Sequence, residues 1–211
     1  MCIRDSSYDD DVNDCNTADD EAWRIRNSDF NPLYFDPTKT YEPWAGVDSD
    51  GNAFTDVPIT AAPNNPYDPT ETINLTRHSS DWLDDSGLNN RTTIDRDNDG
   101  QPDGFRYYTW QDLDNDGFFD NGEETEFLIK NANAATQQNF ANWFSYHRKR
   151  EFVAKAAYGR VIAAAENTRM GLVTLHNHNS VNTAIALLNS DPATNPKRSL
   201  LEQIKIRNLE K

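Results

Sequence analysis

The chain is poor in cysteine, histidine and positive charge. Its 211 residues include 2 cysteines and 4 histidines, and 20 lysines and arginines stand against 35 acidic residues. Cys2 and Cys15 provide neither a disulfide framework nor the spacing of a metal site. The formal net charge of −15 argues against nucleic acid and anionic membranes as partners and favours cations or basic proteins.

Long apolar runs are missing as well. A transmembrane helix needs about 18 or more consecutive apolar residues, and the sequence has no such run, so no membrane insertion is expected. Hydrophobic residues make up only 36% of the chain, which predicts a modest core with much irregular backbone. No P-loop, dinucleotide fingerprint, G-x-S-x-G or H-E-x-x-H motif occurs, so the sequence does not predict an enzyme.

Composition divides the chain into four parts. Residues 1–6, MCIRDS, resemble a translated sequencing adapter and are given no structural role. Residues 7–94 are irregular and rich in Pro, Asn, Asp and aromatics, whereas residues 95–130 combine Asp-rich loops with short strands. Residues 131–211 have α/β character. No signal peptide is visible, and the last residues resemble an uncapped helix, so we expect a fragment of a longer protein. If that protein is secreted, its signal is expected upstream of this fragment.

The irregular part is expected to be held in place by its aromatic residues. Prolines remove backbone donors and fix φ, so long helices or strands are not expected between Asn31 and Pro69. A solvated linker would not need large apolar rings. Tyr34, Phe35, Tyr41 and Trp44 are therefore predicted to pin this segment onto another surface.

The remaining pattern predicts α/β structure. Aromatic and β-branched residues predict paired strands at Phe105–Trp110 and Thr125–Asn131. A helical stripe predicts one long helix from Gln137 to about Asn167, with its start at Asn133–Thr136. The run RMGLVTLHNH at 169–178 reads as a buried strand, and VNTAIALLNSDP at 181–192 and KRSLLEQIKIRNL at 197–209 read as helices. Helix, buried strand and helix in this order indicate a parallel sheet.

The stretch DLDNDGFFDNGE matches the twelve-residue Ca²⁺-loop pattern D-x-D-x-D-G-x5-E at every defined position. Carboxylates at positions one, three and five surround one ion, the glycine allows a sharp turn, and position seven offers a backbone carbonyl. Hard oxygen ligands favour Ca²⁺ over zinc or copper. The predicted ligands are Asp112, Asp114, Asp116, Phe118, Asp120 and Glu123.

A second copy of the pattern lies seventeen residues earlier, in DRDNDGQPDGFR. Its position twelve is Arg106, so the bidentate carboxylate is missing, and this loop needs a further carboxylate, binds weakly or shares the other site. A solvated acidic surface is the alternative for both loops, and a bound ion is expected to rigidify rather than to signal. The predicted ligands are Asp95, Asp97, Asp99, Gln101 and Asp103.

Two other groups of side chains are candidates for chemistry. His176 and His178 would point to the same side of a strand and can pair on a metal, but no further ligand motif accompanies them. A polar strand end is the better interpretation. The basic run His147–Arg150 is predicted to form a solvated helix face or to pair with the acidic insertion, the loop-rich part of the chain before residue 130.

Several stretches in order resemble the type IV pilus assembly and tip-associated adhesin family (PilY/PilC). They are NPLYFDPTKTYEPW, AAPNNPYDP, RYYTWQDLDNDGFFD, QNFANWFSYHRKREFVAKAAYGRVIA and RMGLVTLHN. The resemblance implies a partial von Willebrand factor A-like (Rossmann-like) domain with a long insertion. Asn139–Glu166 would be a domain helix and Gly171–His176 a core strand. The Asp-x-Ser-x-Ser adhesion motif typical of such domains does not occur in this chain.

By this resemblance the protein acts at the cell surface or pilus tip in adhesion, pilus biogenesis and surface motility. Pilins or minor pilins and host or surface ligands would be its partners. Two alternatives stay open from the residues alone. One is a Ca²⁺-stabilised secreted hydrolase whose catalytic residues lie outside this stretch, and the other is a scaffolding module whose acidic loops bind a partner domain.

Overall fold

The computed structural model describes residues 23–78, 95, 98–118, 120, 122–172, 183–188 and 196–206. Over these residues the chain combines helices with three separate two-stranded antiparallel sheets, β1–β2, β3–β4 and β5–β6, so it is α/β in a loose sense. The helices are α1 (Ala134–Tyr146), α2 (Arg150–Ala164) and α3 (Lys197–Ile206), and the strands are β1 (Ala62–Pro63), β2 (Thr72–Ile73), β3 (Arg106–Trp110), β4 (Glu124–Leu128), β5 (Arg169–Leu172) and β6 (Thr183–Leu187).

The main core forms where α1 packs against the irregular chain that precedes the hairpin. Phe140 and Phe144 of α1 are fully buried, and Phe35 packs edge-on against Phe140 with ring centroids 5.0 Å apart. Trp44 is also buried, and its Nε1 donates a 2.8 Å hydrogen bond to the carbonyl of Tyr146. Each buried ring contributes about 1.5–3 kcal/mol. The prediction that aromatic residues pin this segment is confirmed.

Two asparagines of α1 provide the irregular segment with the hydrogen bonds that a strand neighbour would give. Asn139 accepts from the Tyr41 amide at 2.8 Å and donates to the Lys39 carbonyl at 2.7 Å. Asn142 donates to the Tyr41 carbonyl at 2.9 Å and accepts from the Val57 amide at 3.3 Å. Because buried backbone groups need partners, these side chains explain how a proline-rich segment is ordered without regular structure.

The hairpin predicted from the aromatic run is confirmed as β3 and β4. The register runs from Arg106 opposite Leu128 to Trp110 opposite Glu124, and residues 129–131 form a 3-10 turn instead of extending the strand. The hairpin is anchored to the core at its first strand, because Tyr34 donates a 2.6 Å hydrogen bond to the carbonyl of Arg106.

The predicted start of α1 is confirmed, because Asn133 is its N-cap and accepts from the Thr136 amide at 2.9 Å. Such a cap satisfies one of the free amides of the first turn. The prediction of a single helix up to residue 167 is wrong. The chain leaves helical conformation after Tyr146 and resumes at Arg150.

The break between α1 and α2 is built around Arg148. Its guanidinium donates to the carbonyl of Phe144 and, at 2.7 Å, to the carbonyl of Asn64, and it lies 4.2 Å from the centroid of the Phe144 ring. For Arg148 the prediction of a solvated helix face is therefore wrong, whereas its contact with Asn64 agrees with the alternative of pairing with the insertion. Arg148 instead satisfies a carbonyl at the end of α1 and ties that end to the chain before β2.

A second, smaller cluster joins α2, α3 and the β5–β6 hairpin through buried Ile162, Leu188, Leu200, Leu201 and Ile204. The fully buried Lys197 donates a 2.8 Å hydrogen bond to the carbonyl of Ala163 in the last turn of α2. A lysine ammonium suits the negative end of a helix. The helix predicted at the start of this lysine-rich segment is confirmed as α3.

Two predictions for this region are wrong. Residues 183–187 form strand β6 rather than a helix, and β5 is half-exposed and pairs with β6 in antiparallel fashion rather than lying buried in a parallel sheet. Val181, Thr183 and Ile185 are β-branched at alternate positions, which favours a strand. The apolar residues of this stretch, taken without Thr183, do not show that alternation.

Some predictions fall outside the described residues and are not tested. These concern the adapter-like start, Cys2, Cys15, Asp97, His176 and His178. Of the helices in the described ranges, none combines the length and the apolar character needed to cross a membrane.

Candidate metal centre

The two Asp-rich loops lie at opposite ends of the β3–β4 hairpin. Residues 95–103, called loop 1 below, lead towards β3 beside the end of β4, whereas residues 112–123, called loop 2, connect the two strands. The paired stretch between them is five residues long, or roughly 15 Å at about 3.3 Å per residue. This arrangement favours two separate acidic centres over a single ion shared by both loops.

Three carboxylates of loop 2 converge. Asp112, Asp114 and Asp116 each place one carboxylate oxygen within 4.8 Å of the other two. Because Ca²⁺–oxygen distances are 2.3–2.6 Å, two oxygens on the same ion lie at most about 5 Å apart. These three side chains can in principle hold one divalent cation. No other group of three His, Cys, Asp or Glu in the described part of the chain meets this distance.

The backbone of loop 2 turns as the motif requires. Gly117 has φ of +81° and Asn115 has φ of +62°, a region that glycine and asparagine tolerate best. The Gly117 amide donates to Asp112 Oδ2 at 3.0 Å, and the Phe118 amide donates to Asp116 Oδ1 at 2.8 Å. Asp112 Oδ1, in contrast, is buried and has no hydrogen-bond partner among the described residues.

Glu123 closes loop 2 rather than joining the aspartate cluster. Its Oε1 accepts from the Leu113 amide at 2.7 Å and its Oε2 from Trp110 Nε1 at 3.0 Å. The hydrogen bond from Leu113, and after it the one from Trp110, hold the pKa of Glu123 below its usual value of 4.5. Glu123, at position twelve of the pattern, therefore already links the two ends of loop 2 through these hydrogen bonds.

The charges of loop 2 act on one another. The amide of Asp116 lowers the pKa of Asp114 by hydrogen bonding, but desolvation and the negative charges of Asp116, Glu123 and Asp112 together raise it above its usual value. Among the described residues, no lysine or arginine forms an ion pair with a carboxylate of this loop. The loop therefore carries an uncompensated negative charge that a cation would relieve.

The two remaining predicted ligands of loop 2 lie on its outside. Phe118 at position seven is predicted to contribute only its backbone carbonyl, and its ring is 69% exposed. Asp120 at position nine is exposed, and its carbonyl accepts from the Glu123 amide at 3.4 Å. The structure does not bring the Asp120 carboxylate into the cluster.

Loop 1 repeats the backbone of loop 2. Asn98 and Gly100 have φ of +55° and +81°, close to the values of their counterparts in loop 2. The Gly100 amide donates to Asp95 Oδ2 at 2.9 Å, and the Gln101 amide donates to Asp99 Oδ1 at 2.7 Å. Each hydrogen bond has an equivalent seventeen residues later. Over the residues that the structure describes, the repeat seen in the sequence is therefore also a repeat of the turn geometry.

The surroundings of loop 1 are different. Asp103 at position nine is buried, and Lys130 Nζ lies 3.5 Å from its Oδ1 and 3.8 Å from Asp99 Oδ2. Arg106, which stands at position twelve, turns away and pairs with Glu126 at 2.8 Å. Of these two cationic side chains, Lys130 is therefore the one that lies beside the carboxylates of loop 1.

Sequence reasoning missed Lys130. The only signal was that loop 1 lacks an acidic residue at position twelve, which leaves its charge to be compensated elsewhere. Lys130 follows the end of β4, and only the register of the hairpin shows that this end lies beside loop 1.

Comparisons with known proteins add no further assignment. No family model matches the chain, and searches of curated proteins and of solved structures give no significant match.

Proposed function

We propose that this chain is a Ca²⁺-binding, non-enzymatic module of a surface adhesin, of the type IV pilus assembly and tip-associated family that its sequence resembles. The observation that carries the metal-binding part is the convergence of Asp112, Asp114 and Asp116 on a glycine-turned loop. The adhesin part rests on the ordered sequence stretches that resemble the family.

The chemistry of the cluster suits a hard cation. Each of the three aspartates offers an oxygen, and the backbone carbonyl of Phe118 is the expected fourth ligand. Calcium takes six to eight oxygen ligands, so water or the Asp120 carboxylate would complete the set. Extracellular Ca²⁺ modules often bind with dissociation constants of about 10⁻⁴ to 10⁻³ M, which would keep loop 2 loaded outside the cell.

The role of the metal in this proposal is to stiffen the hairpin tip. Glu123 and Trp110 already hold the ends of loop 2 together, so the ion would relieve the repulsion among the aspartates between those ends. A rigid, cation-loaded tip can then present its exposed side chains to pilins or to a surface ligand.

The domain assignment belongs to the same proposal. Helices α1 and α2 followed by β5 keep the order that the resemblance implies for a von Willebrand factor A-like domain. The antiparallel pairing of β5 with β6 differs from the parallel core strand of that expectation. The proposal for the domain therefore rests on the sequence resemblance and on the helices.

Calorimetric titration of Ca²⁺ into the purified chain tests the metal site. Asp112→Asn removes one ligand oxygen from the cluster, and we expect affinity to fall on the order of tenfold or more. Asp50→Asn is the matched control, because Asp50 lies in another exposed acidic turn outside the cluster. It should bind like the wild type, within about twofold.

Two results would contradict the proposal. One is a folded wild-type chain that takes up no Ca²⁺ at several millimolar, and the other is equal binding by the Asp112→Asn and wild-type chains. Adding Mg²⁺ in place of Ca²⁺ serves as the selectivity control. Magnesium requires a tighter octahedral site, so its heat of binding should be much smaller.

One observation favours the scaffolding alternative. Leu113 and Phe118 are 63% and 69% exposed on loop 2, and exposed apolar side chains mark an interaction surface where they form a contiguous patch. If loop 2 binds a partner protein directly, a Leu113→Ser, Phe118→Ser variant should lose that binding in the presence of a chelator. Under the Ca²⁺ proposal, chelation alone should abolish binding by the wild type.

A further inference from the structure

Loop 1 contains a cation supplied by its own chain. The Lys130 ammonium lies between Asp99 Oδ2, at 3.8 Å, and Asp103 Oδ1, at 3.5 Å. Its Nζ is buried and makes no hydrogen bond within the described residues. These two carboxylates are therefore the groups that compensate its charge.

The position of the ammonium relative to the sequence pattern is informative. Asp99 and Asp103 stand at positions five and nine of the twelve-residue loop, which contribute oxygens to one and the same ion. The lysine nitrogen thus lies between two side chains that would otherwise share a metal. No ammonium or guanidinium of the described residues takes the equivalent place in loop 2.

Burial explains why loop 1 needs a permanent partner. The Asp103 side chain is only 4% exposed, whereas Asp120 at the same position of loop 2 is exposed. A buried carboxylate is costly unless a counter-charge or hydrogen bonds compensate it. An ammonium that is covalently part of the chain compensates Asp103 at every Ca²⁺ concentration, which a weakly bound ion cannot do.

We propose that Lys130 is the built-in cation of loop 1, so that loop 1 closes without metal and takes up no Ca²⁺. Lys130 would then decide which of two similar loops is the metal site. The expectation that the chain binds one Ca²⁺ rests on the proposed Ca²⁺ binding of loop 2. The role of Lys130 within loop 1 does not depend on it.

The number of Ca²⁺ ions bound per chain tests whether loop 1 takes up metal. Calorimetry on the full chain should give one Ca²⁺ per molecule, and an Asp99→Asn, Asp103→Asn double variant should keep that stoichiometry with affinity within about twofold. Asp99→Asn alone, at a half-exposed position, provides a second variant if the double variant folds poorly. Two ions in the wild type, one of which the loop 1 variants lose, would overturn the proposal.

A double-mutant cycle at Lys130 and Asp103, measured in excess chelator, tests whether Lys130 stabilises loop 1 without metal. Lys130→Met removes the ammonium that lies 3.5 Å from the buried Asp103 carboxylate, so the thermal midpoint should fall by about 5–10 °C. Adding Asp103→Asn to Lys130→Met should recover about half of that loss, since the amide needs no counter-charge. If the changes in thermal midpoint caused by Lys130→Met and by Asp103→Asn simply add in the double variant, Lys130 is not the cation of this loop and the proposal is wrong.

The two experiments separate this proposal from the proposed function. A wild-type chain that binds no Ca²⁺ while the cycle shows coupling would reject the Ca²⁺ module and keep Lys130 as the cation of loop 1. Uptake of one Ca²⁺ that Asp112→Asn weakens, together with an additive cycle, would keep the module and reject the role of Lys130.

Discussion

Loop 1 and loop 2 have the same backbone turn but different charged neighbours. In both loops a glycine with φ of +81° donates its amide to the first aspartate, at 2.9 Å in loop 1 and 3.0 Å in loop 2. In loop 1 the Lys130 ammonium lies 3.5 Å from Asp103 Oδ1. Loop 2 has three converging aspartates and no ion pair among the described residues. The turn is thus encoded locally, and the charge balance depends on the tertiary neighbour.

The comparison separates the two contributions of an Asp-rich motif. Asparagine, aspartate and glycine at fixed spacing satisfy one another through short-range hydrogen bonds, so the turn needs no metal to form. The affinity for an ion depends on whether another cation is already present. A motif match alone therefore predicts the turn more reliably than it predicts the ion.

The largest expected effect comes from the glycine that joins loop 1 to β3. Gly104 has φ of +70°, and a Cβ there would lie 2.5 Å from the carbonyl carbon of Thr76. Because a backbone atom cannot move aside, Gly104→Ala should destabilise the protein by about 3–5 kcal/mol, combining overpacking with left-handed strain. Urea denaturation followed by circular dichroism measures the loss.

Gly117→Ala in loop 2 is the matched control for Gly104→Ala. Its φ is +81°, but a Cβ would meet nothing within 4 Å, so only the backbone strain of about 1–2 kcal/mol remains. Equal losses in the two variants would contradict the view that the chain at the end of loop 1 packs against Thr76 while Gly117 of loop 2 faces solvent.

The second expected effect concerns how loop 2 is closed. Glu123→Gln keeps one carbonyl acceptor for two donors, the Leu113 amide and Trp110 Nε1. The Leu113 amide should therefore exchange with deuterium about tenfold faster, while the amides of Gly100 and Gln101 in loop 1 keep their rates. Asp120→Asn removes the same charge outside this contact and should leave Leu113 unchanged.

The pH dependence of this closure has a definite sign. Hydrogen bonds hold the pKa of Glu123 below its usual value of 4.5, so its stabilisation is present above pH 4.5 and is lost as the pH falls through the lower folded value. Protection of the Leu113 amide that persists far below that range would show that the carboxylate does not close the loop.

Local structure could be predicted from the residues, whereas long-range partners could not. The acidic turns, the β3–β4 hairpin and the start of α1 at Asn133 follow from short-range patterns that the structure bears out. The break between α1 and α2 depends on Arg148 reaching Asn64, 84 residues earlier. A helical stripe of apolar residues does not indicate such a contact.

The candidate site follows the same rule. Asp112, Asp114 and Asp116 lie within one loop, so their spacing alone predicted their convergence. Lys130 is remote from loop 1 in the chain and reaches it only through the register of the hairpin. The register is a tertiary property, and the counter-charge that distinguishes the loops therefore had to be read from the structure.

The smallest expected effect tests how closely the two turns agree. Asn98 and Asn115 occupy equivalent positions with φ of +55° and +62°, where asparagine is one of the few side chains that fit without much strain. Asn98→Ala and Asn115→Ala should each cost about 1 kcal/mol, and the corresponding glycine variants should stay within about 0.5 kcal/mol of wild type. Chemical denaturation in excess chelator measures all four variants without a contribution from bound metal. Because the strain depends on φ rather than on the counter-charge, the two alanine losses should be equal. A difference above about 0.5 kcal/mol would mean that Lys130 also shapes the backbone of loop 1, and that turn and charge balance are not independent.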